Sequence, residues 1–216
     1  MNLFLFNVVI TSVLSTSVTL TPANHVSLKG PINSYTASKF ISDINKVSTN
    51  HIYMYIDSPG GSVPDGHKII QYMQYKIDNN STILCIAWQA SSMAFHIFQH
   101  CSHRYILKDS RLMQHPISLH NLSGQIENIN NYIKMIYNIY NDLLITGSKR
   151  LLISPEQYLS NINNDWQLYG KAIIENNAAD TILSSVGCSK DMAANDESTT
   201  VLGTLYISSA CPINGM

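Results

Sequence analysis

The chain has 216 residues, 45% apolar and 12% charged, with a formal net charge of −1. Such a composition describes a folded globular protein with one sizeable core and excludes a disordered chain. With no basic or polyacidic run, neither a nucleic-acid-binding surface nor an acidic tail is indicated. The four cysteines, Cys85, Cys101, Cys188 and Cys211, show no C-x-x-C spacing. The sequence therefore predicts neither a structural zinc nor a disulfide scaffold, and Cys85 is expected to pack as a small hydrophobe.

Residues 1–24 form an N-terminal apolar segment. Leu3 to Val18 is apolar enough for a signal-peptide core, yet no Lys or Arg precedes it and Asn7 and several hydroxyl residues dilute it. The competing reading is an N-terminal β segment. A cytoplasmic or organellar location is the expectation, with a secretory route open if this segment is a signal peptide. His25 to Gly30 alternates and reads as a strand, ended by Gly30-Pro31. Ser34 to Val47 carries Ala37, Phe40, Ile41, Ile44 and Val47 on one helical face. Ile52 to Asp57 is a second strand and runs into Ser58-Pro59-Gly60-Gly61-Ser62, a loop whose glycines open conformations closed to other residues. Asp65 to Ile77 is helical. Thr82 to Ile86 is a third strand, followed by Ala87-Trp88-Gln89-Ala90-Ser91-Ser92-Met93 and a buried helix. Short strands at Arg104–Leu107 and Leu112–His115 follow, the second ended by Pro116.

Ser123 to Thr146 reads as one long helix, with Ile126, Ile129, Ile133, Ile136, Tyr140 and Leu143 stepping by three and four. Ser154-Pro155-Glu156 opens another helix, which Asn163-Asn164-Asp165-Trp166 breaks. Gly170 to Leu183 is a last helix–strand element. After Gly187 the tail, 188–216, is small and polar, with one more strand predicted at Val201–Ile207. The alternation of helices with near-continuous apolar strands predicts an α/β domain over residues 25–187. Its mainly parallel sheet should be covered on both faces.

In such sheets chemistry collects at the carboxyl ends of the strands. The Gly60-Gly61 loop, Ser91/Ser92 and His115 all fall there. Small residues at a strand–helix junction are common and Ser is a good helix N-cap, so the serines alone carry little. A serine nucleophile also needs a base, an acid that orients the base, and two N–H donors for the oxyanion. His115 ends a strand beside the serine strand. Asp165 sits in a break between elements. His96, His100 and His103 read as helix-face or surface residues; a metal cluster of the three is incomplete without a carboxylate or Cys pattern.

The same residues carry a resemblance. Tyr55-Ile56-Asp57-Ser58-Pro59-Gly60-Gly61-Ser62-Val63 with Gly66 resembles the Y-I-N-S-P-G-G-x-V-x-x-G pattern of the Clp protease proteolytic subunit (ClpP) family. Gln89-Ala90-Ser91-Ser92-Met93 resembles its Q-A-A-S-M motif, and Ser110 to His115 its S-R-x-M-x-H motif. Asp165 precedes Ala179-Asp180-Thr181-Ile182-Leu183, similar to its closing V-D-x-I-L. The resemblance implies a crotonase-like spiral of β-β-α units with a long handle helix. It also implies a catalytic Ser92–His115–Asp165 triad and oxyanion donors on the backbone of Gly61 and Met93. It implies serine-type cleavage of polypeptides inside a homo-oligomer of stacked, heptameric rings. No cofactor or metal is implied in the chain; ATP enters only through a partner AAA+ unfoldase. Two alternatives on the same fold are a crotonase-like acyl-CoA enzyme and a catalytically inactive ring subunit.

Overall fold

The computed structural model describes residues 16–119, 122–193, 196–201, 204–209 and 211–213. In chain order the elements are β1 (Ser17–Leu20), β2 (His25–Lys29), α1 (Ser34–Ile44), β3 (His51–Ser58), α2 (Val63–Asp78), β4 (Thr82–Ser91), α3 (Met93–Gln99) and β5 (His103–Gln114). Then follow α4 (Ile126–Leu151), α5 (Pro155–Ile162), β6 (Trp166–Tyr169), α6 (Lys171–Glu175), β7 (Thr181–Ile182), β8 (Ser185–Cys188), α7 (Lys190–Ala193), β9 (Asp196–Val201) and β10 (Thr204–Ser209). Most of the apolar segment Leu3–Val18 lies outside the described residues; its end enters β1. Among the described residues no helix is long and apolar enough to cross a membrane.

The main sheet runs β2-β3-β4-β5-β6, and β7 pairs with the first half of β5. Strands β2 to β5 are parallel, whereas β6 runs antiparallel along the end of β5. The chain is thus a mixed α/β domain on a largely parallel sheet. Side-chain alternation sorts β3 onto two faces. Met54 and Ile56 join one large core with Phe40, Ile69, Met73, Phe95, Leu143 and Tyr158, which the helices cover. Tyr55 faces the other way and packs with Val18, Leu20, Ile86, Leu183 and Met192. Helices cover the first of these faces. The second face is covered by the parallel pair β1–β8 and by Met192 of the short α7.

Three sequence expectations change. The strands predicted at Arg104–Leu107 and Leu112–His115 are one strand, β5, interrupted by an irregularity. The β4–β5 register jumps from Ala87↔Ile106 to Gln89↔Arg111. Ser110 fills the jump: its Oγ donates to the Ala87 carbonyl at 2.6 Å and accepts from Leu107 N–H at 2.8 Å. A buried hydroxyl so placed satisfies the groups that the bulge takes out of the ladder. The single C-terminal strand is in fact the antiparallel pair β9–β10. Finally, the cysteines pair as Cys85–Cys101 and Cys188–Cys211. Helix α3 spans seven residues, so the chain leaving β4 returns at once. The rung Cys85↔Arg104 then sets Cys101 beside its partner. Sequence spacing does not encode that return.

One buried ion pair ties the far end of the sheet. Arg104 donates from N–H and Nε to Asp180 Oδ2 at 2.8 and 3.1 Å, and from Nη1 to Gln99 Oε1. Gln99 in turn donates to the Ala178 carbonyl. The Arg104 side chain is 4% exposed. Burial works against the charged form of Asp180. Bonds from Arg104 and the nearby charge of Arg150 outweigh it, and the carboxyl titrates below its ordinary value. The charged pair therefore stabilises the fold above about pH 4, and that contribution disappears as pH falls through the lowered folded-state pKa. Asp180→Asn leaves Arg104 buried without its counter-charge and should cost about 3 kcal/mol at pH 7. In urea unfolding, the gap between wild type and Asp180→Asn should close below about pH 4.

Candidate active site

Strand β4 ends at Ser91, which is buried, and α3 begins at Met93. Ser92 forms the turn between them with φ 53° and ψ −122°. A non-glycine residue at positive φ outside the left-handed helical well stores about 1–3 kcal/mol of strain, which surrounding contacts must hold in place. Here Ser92 N–H donates to the Met113 carbonyl at 2.8 Å, and the Ser92 carbonyl accepts from Phe95 N–H at 3.0 Å. The hydroxyl makes no capping bond to the helix it precedes. A capping role, the simplest sequence reading of a serine here, is therefore not the one it plays. A sharp strand-to-helix turn of this kind presents a serine side chain clear of the sheet.

The glycine loop packs against this turn. Gly60 has φ +89°, and a Cβ there would lie 2.4 Å from the Ser91 carbonyl oxygen and 2.8 Å from both Met93 N and Ser92 Cβ. No side chain fits. Ser58 fixes the loop from below, donating to the Gly30 carbonyl at 2.7 Å and accepting from Gly60 N–H at 3.1 Å. Ile32 straps it from the side, with Ile32 N–H on the Gly60 carbonyl and Ser62 N–H on the Ile32 carbonyl. On α2, a Cβ at Gly66 would lie 2.3 Å from Met93 Cγ, so the motif's last glycine makes room for the first side chain of α3. Gly61, Ser92, Met93 and His115 line one cleft together with His96, Gln114, Tyr140 and Leu143.

His115 follows β5 directly and is half-buried. Its Nδ1 lies 2.7 Å from the Pro116 carbonyl oxygen. Asp165, the third residue expected, precedes β6 and is exposed, with φ +50°. The antiparallel register ends at Gln114↔Trp166, so the next rung would set His115 opposite Asp165. The sequence-predicted residues are thus divided. Ser92, His115, Gly61 and Met93 share a cleft, while Asp165 lies beside it in the backbone register but does not line it.

Three histidines were expected on helix faces or the surface. His96 is instead 3% exposed and sits in the cleft wall. Burial, with smaller contributions from His100 and His115, lowers its pKa to about 3, so it stays neutral across the physiological range. Gln114 contacts His96 Nε2 and donates to Tyr158 Oη at 3.1 Å. His100 is bonded to the His96 carbonyl, and His103 to Thr181. Among the described residues no group of three or more His, Cys, Asp or Glu is placed to hold a metal ion. The available signal for His96 was a polar residue inside the apolar run Met93–Phe98; Gln114, in a strand with many polar residues, gave none. Their meeting depends on α3 crossing the end of β5.

A family model described as Clp protease matches residues 11–185. The chain belongs to the Clp protease family. A relative is the ATP-dependent Clp protease proteolytic subunit of Borrelia garinii subsp. bavariensis, 28% identical over 163 residues, covering 73% of this chain and 83% of the relative. The match begins before the glycine loop and ends just beyond β7, so it takes in every residue of the cleft.

Replacing Gly60 by Ala should destabilise the domain by about 2–4 kcal/mol, since the backbone of Ser91 and Met93 and the Ser92 Cβ have to move. Gly30→Ala is the control. Gly30 has φ +73° but nothing within 4 Å of a new Cβ, so the cost should be about 1 kcal/mol. Urea unfolding of the two variants measures the difference.

Proposed function

We propose that the chain is a serine endopeptidase of Clp type. The observation that carries this reading is the Ser92 turn. Its backbone is strained, its hydroxyl is unused by the helix, it rests on Gly60, and it shares a cleft with His115 and Gly61. Ser92 Oγ would attack the peptide carbonyl while His115 takes its proton, later giving it to the leaving amine. The N–H groups of Gly61 and Met93 are the candidate donors for the oxyanion. Met93 opens α3, so its N–H has no acceptor within the helix. Asp165 would orient His115 from the neighbouring rung. The chemistry requires no cofactor from this chain.

Stacked, heptameric rings are the assembly we propose, within a crotonase-like spiral fold whose handle is α4. What supports it is the uneven burial of that helix. Its second half packs through Ile136, Tyr140, Leu143, Leu144 and Leu151, whereas Ile126 is 71% exposed and Tyr132 and Met135 are exposed as well. An apolar seam that continues past the domain suits a second copy of the chain. An ATP-driven unfoldase would be a separate partner, and residues 25–187 would form the peptidase domain.

A catalytically silent subunit is the second reading, favoured by two observations: His115 Nδ1 is bonded to the Pro116 carbonyl, and Asp165 stands outside the cleft. A fluorophosphonate probe separates the two. Wild type and Ser91→Ala should label and Ser92→Ala should not; absence of labelling in assembled wild type would favour the silent subunit. If Asp165 orients His115, Asp165→Asn should lower peptide turnover by about a thousandfold or more with little loss of fold. Near-normal turnover would assign the orienting role to the Pro116 carbonyl.

A further inference from the structure

The cleft beside Ser92 has an unusual wall. On the peptidase reading, the side chain of the residue whose carbonyl Ser92 attacks must enter this cleft. Pockets of this kind are mostly apolar, with a few polar groups that fix specificity. Here His96 and Tyr140 both line the cleft, their rings edge-to-face with centroids 6.1 Å apart. His96 Nδ1 and the Tyr140 hydroxyl are both buried, and neither has a hydrogen-bond partner among the described residues. Orphaned polar groups at that depth cost about 1–3 kcal/mol each, so a pair in one wall calls for an explanation.

The bonding around them sets what they can offer. The amide nitrogen of Gln114 contacts His96 Nε2 and donates to Tyr158 Oη, while Gln114 Oε1 accepts from His115 N–H. With the amide as donor, His96 Nε2 is the acceptor and its proton sits on Nδ1. The neutral ring therefore carries its proton on the buried Nδ1, and Tyr140 carries a buried O–H. Both are donors in want of an acceptor. No Lys or Arg is among the described residues lining the cleft, so a buried carboxylate would lack a formal counter-charge there. A carboxamide offers the acceptor without the charge.

We infer that His96, Gln114 and Tyr140 make this cleft select a substrate residue with an uncharged, hydrogen-bond-accepting side chain, glutamine or asparagine, on the acyl side of the cut bond. Gln114 is a positioning residue: it holds the His96 tautomer and does not itself reach the substrate. The selection rests on the peptidase reading given above. A site built to hydrogen-bond a substrate group rejects an analogue without it far more strongly than an apolar pocket rejects a missing methylene.

The test uses the full chain and fluorogenic peptides that differ only at that residue: Gln, Asn, Glu, Leu or Met. Labelling by a fluorophosphonate is measured alongside. The expected result is kcat/KM for Gln or Asn at least about tenfold above that for Leu, Met and Glu. Tyr140→Phe should then lower kcat/KM for the Gln peptide about tenfold and leave the Leu peptide nearly unchanged. The double variant His96→Phe with Gln114→Ile should shift the preference to Leu or Met while Ser92 still labels. Labelled wild-type protein that prefers Leu or Met overturns the inference and leaves the peptidase reading standing. So does an unchanged Gln preference in labelled Tyr140→Phe. Wild-type protein that neither labels nor cleaves any of the peptides overturns both.

Discussion

The close approach of Gly60 to the Ser91–Met93 backbone is the constraint on which the rest of the site depends. A glycine loop at the end of β3 and a strand–helix turn at the end of β4 are brought to van der Waals contact with no room for a single methyl group. Parallel pairing of β3 with β4 supplies the coarse placement. Ser58, Ile32 and the absent Cβ supply the fine one. Because both backbones are fixed, the distance between Gly61 and Ser92 is fixed with them. Backbone donors held by a rigid scaffold can stabilise a developing charge without reorganising at the moment of reaction. Gly66 extends the same logic one layer deeper, since Met93 occupies the volume its side chain would fill.

Much of this was legible in the residue order. The strands ending near Ser58 and His115 and the helices after Asn33 and Ser62 follow from apolar periodicity and from capping residues. Asn33 accepts from Thr36 N–H and Ser62 accepts from Asp65 N–H. The glycine loop, the Ser92 motif and His115 were legible because each is a local string. What escaped the sequence were pairings between distant strings. Neither the extension of β4 to Ser91 nor the fusion of two short strands into β5 can be read without the register that Ser110 repairs. The Cys85–Cys101 disulfide needed the immediate return of the chain after α3. The cover over the second face comes from β1 and β8, separated by most of the chain, and no periodicity announces that.

His96 shows the same limit most clearly. On a helical wheel it is one of two polar residues, with Gln99, among apolar ones, and a surface position is the natural guess. All seven residues of α3 are in fact buried, so the helix has no polar face to show. A buried imidazole is tolerated when it is neutral and bonded. Its lowered pKa meets the first condition, and Gln114 meets half of the second.

Departures from local rules occur in several parts of the molecule, but at the cleft they coincide. Arg104, as deeply buried as His96, has its charge met by Asp180 and a further bond to Gln99, which donates in turn to the Ala178 carbonyl, while the neighbouring Arg150 keeps a buried Nε without a partner among the described residues. A structural network is expected to close in this way, because an unpaired buried charge is costly. Several departures meet at the cleft. Ser92 is held at positive φ with its hydroxyl unspent on the helix, and His96 and Tyr140 keep orphaned polar atoms in one wall. Asp165, also at positive φ, stands one rung from His115. Sequences that fold well agree with themselves at every level except where function demands otherwise. A strained serine, two orphaned polar atoms and a histidine brought into one cleft are a stronger argument for a working site than any one of those residues alone.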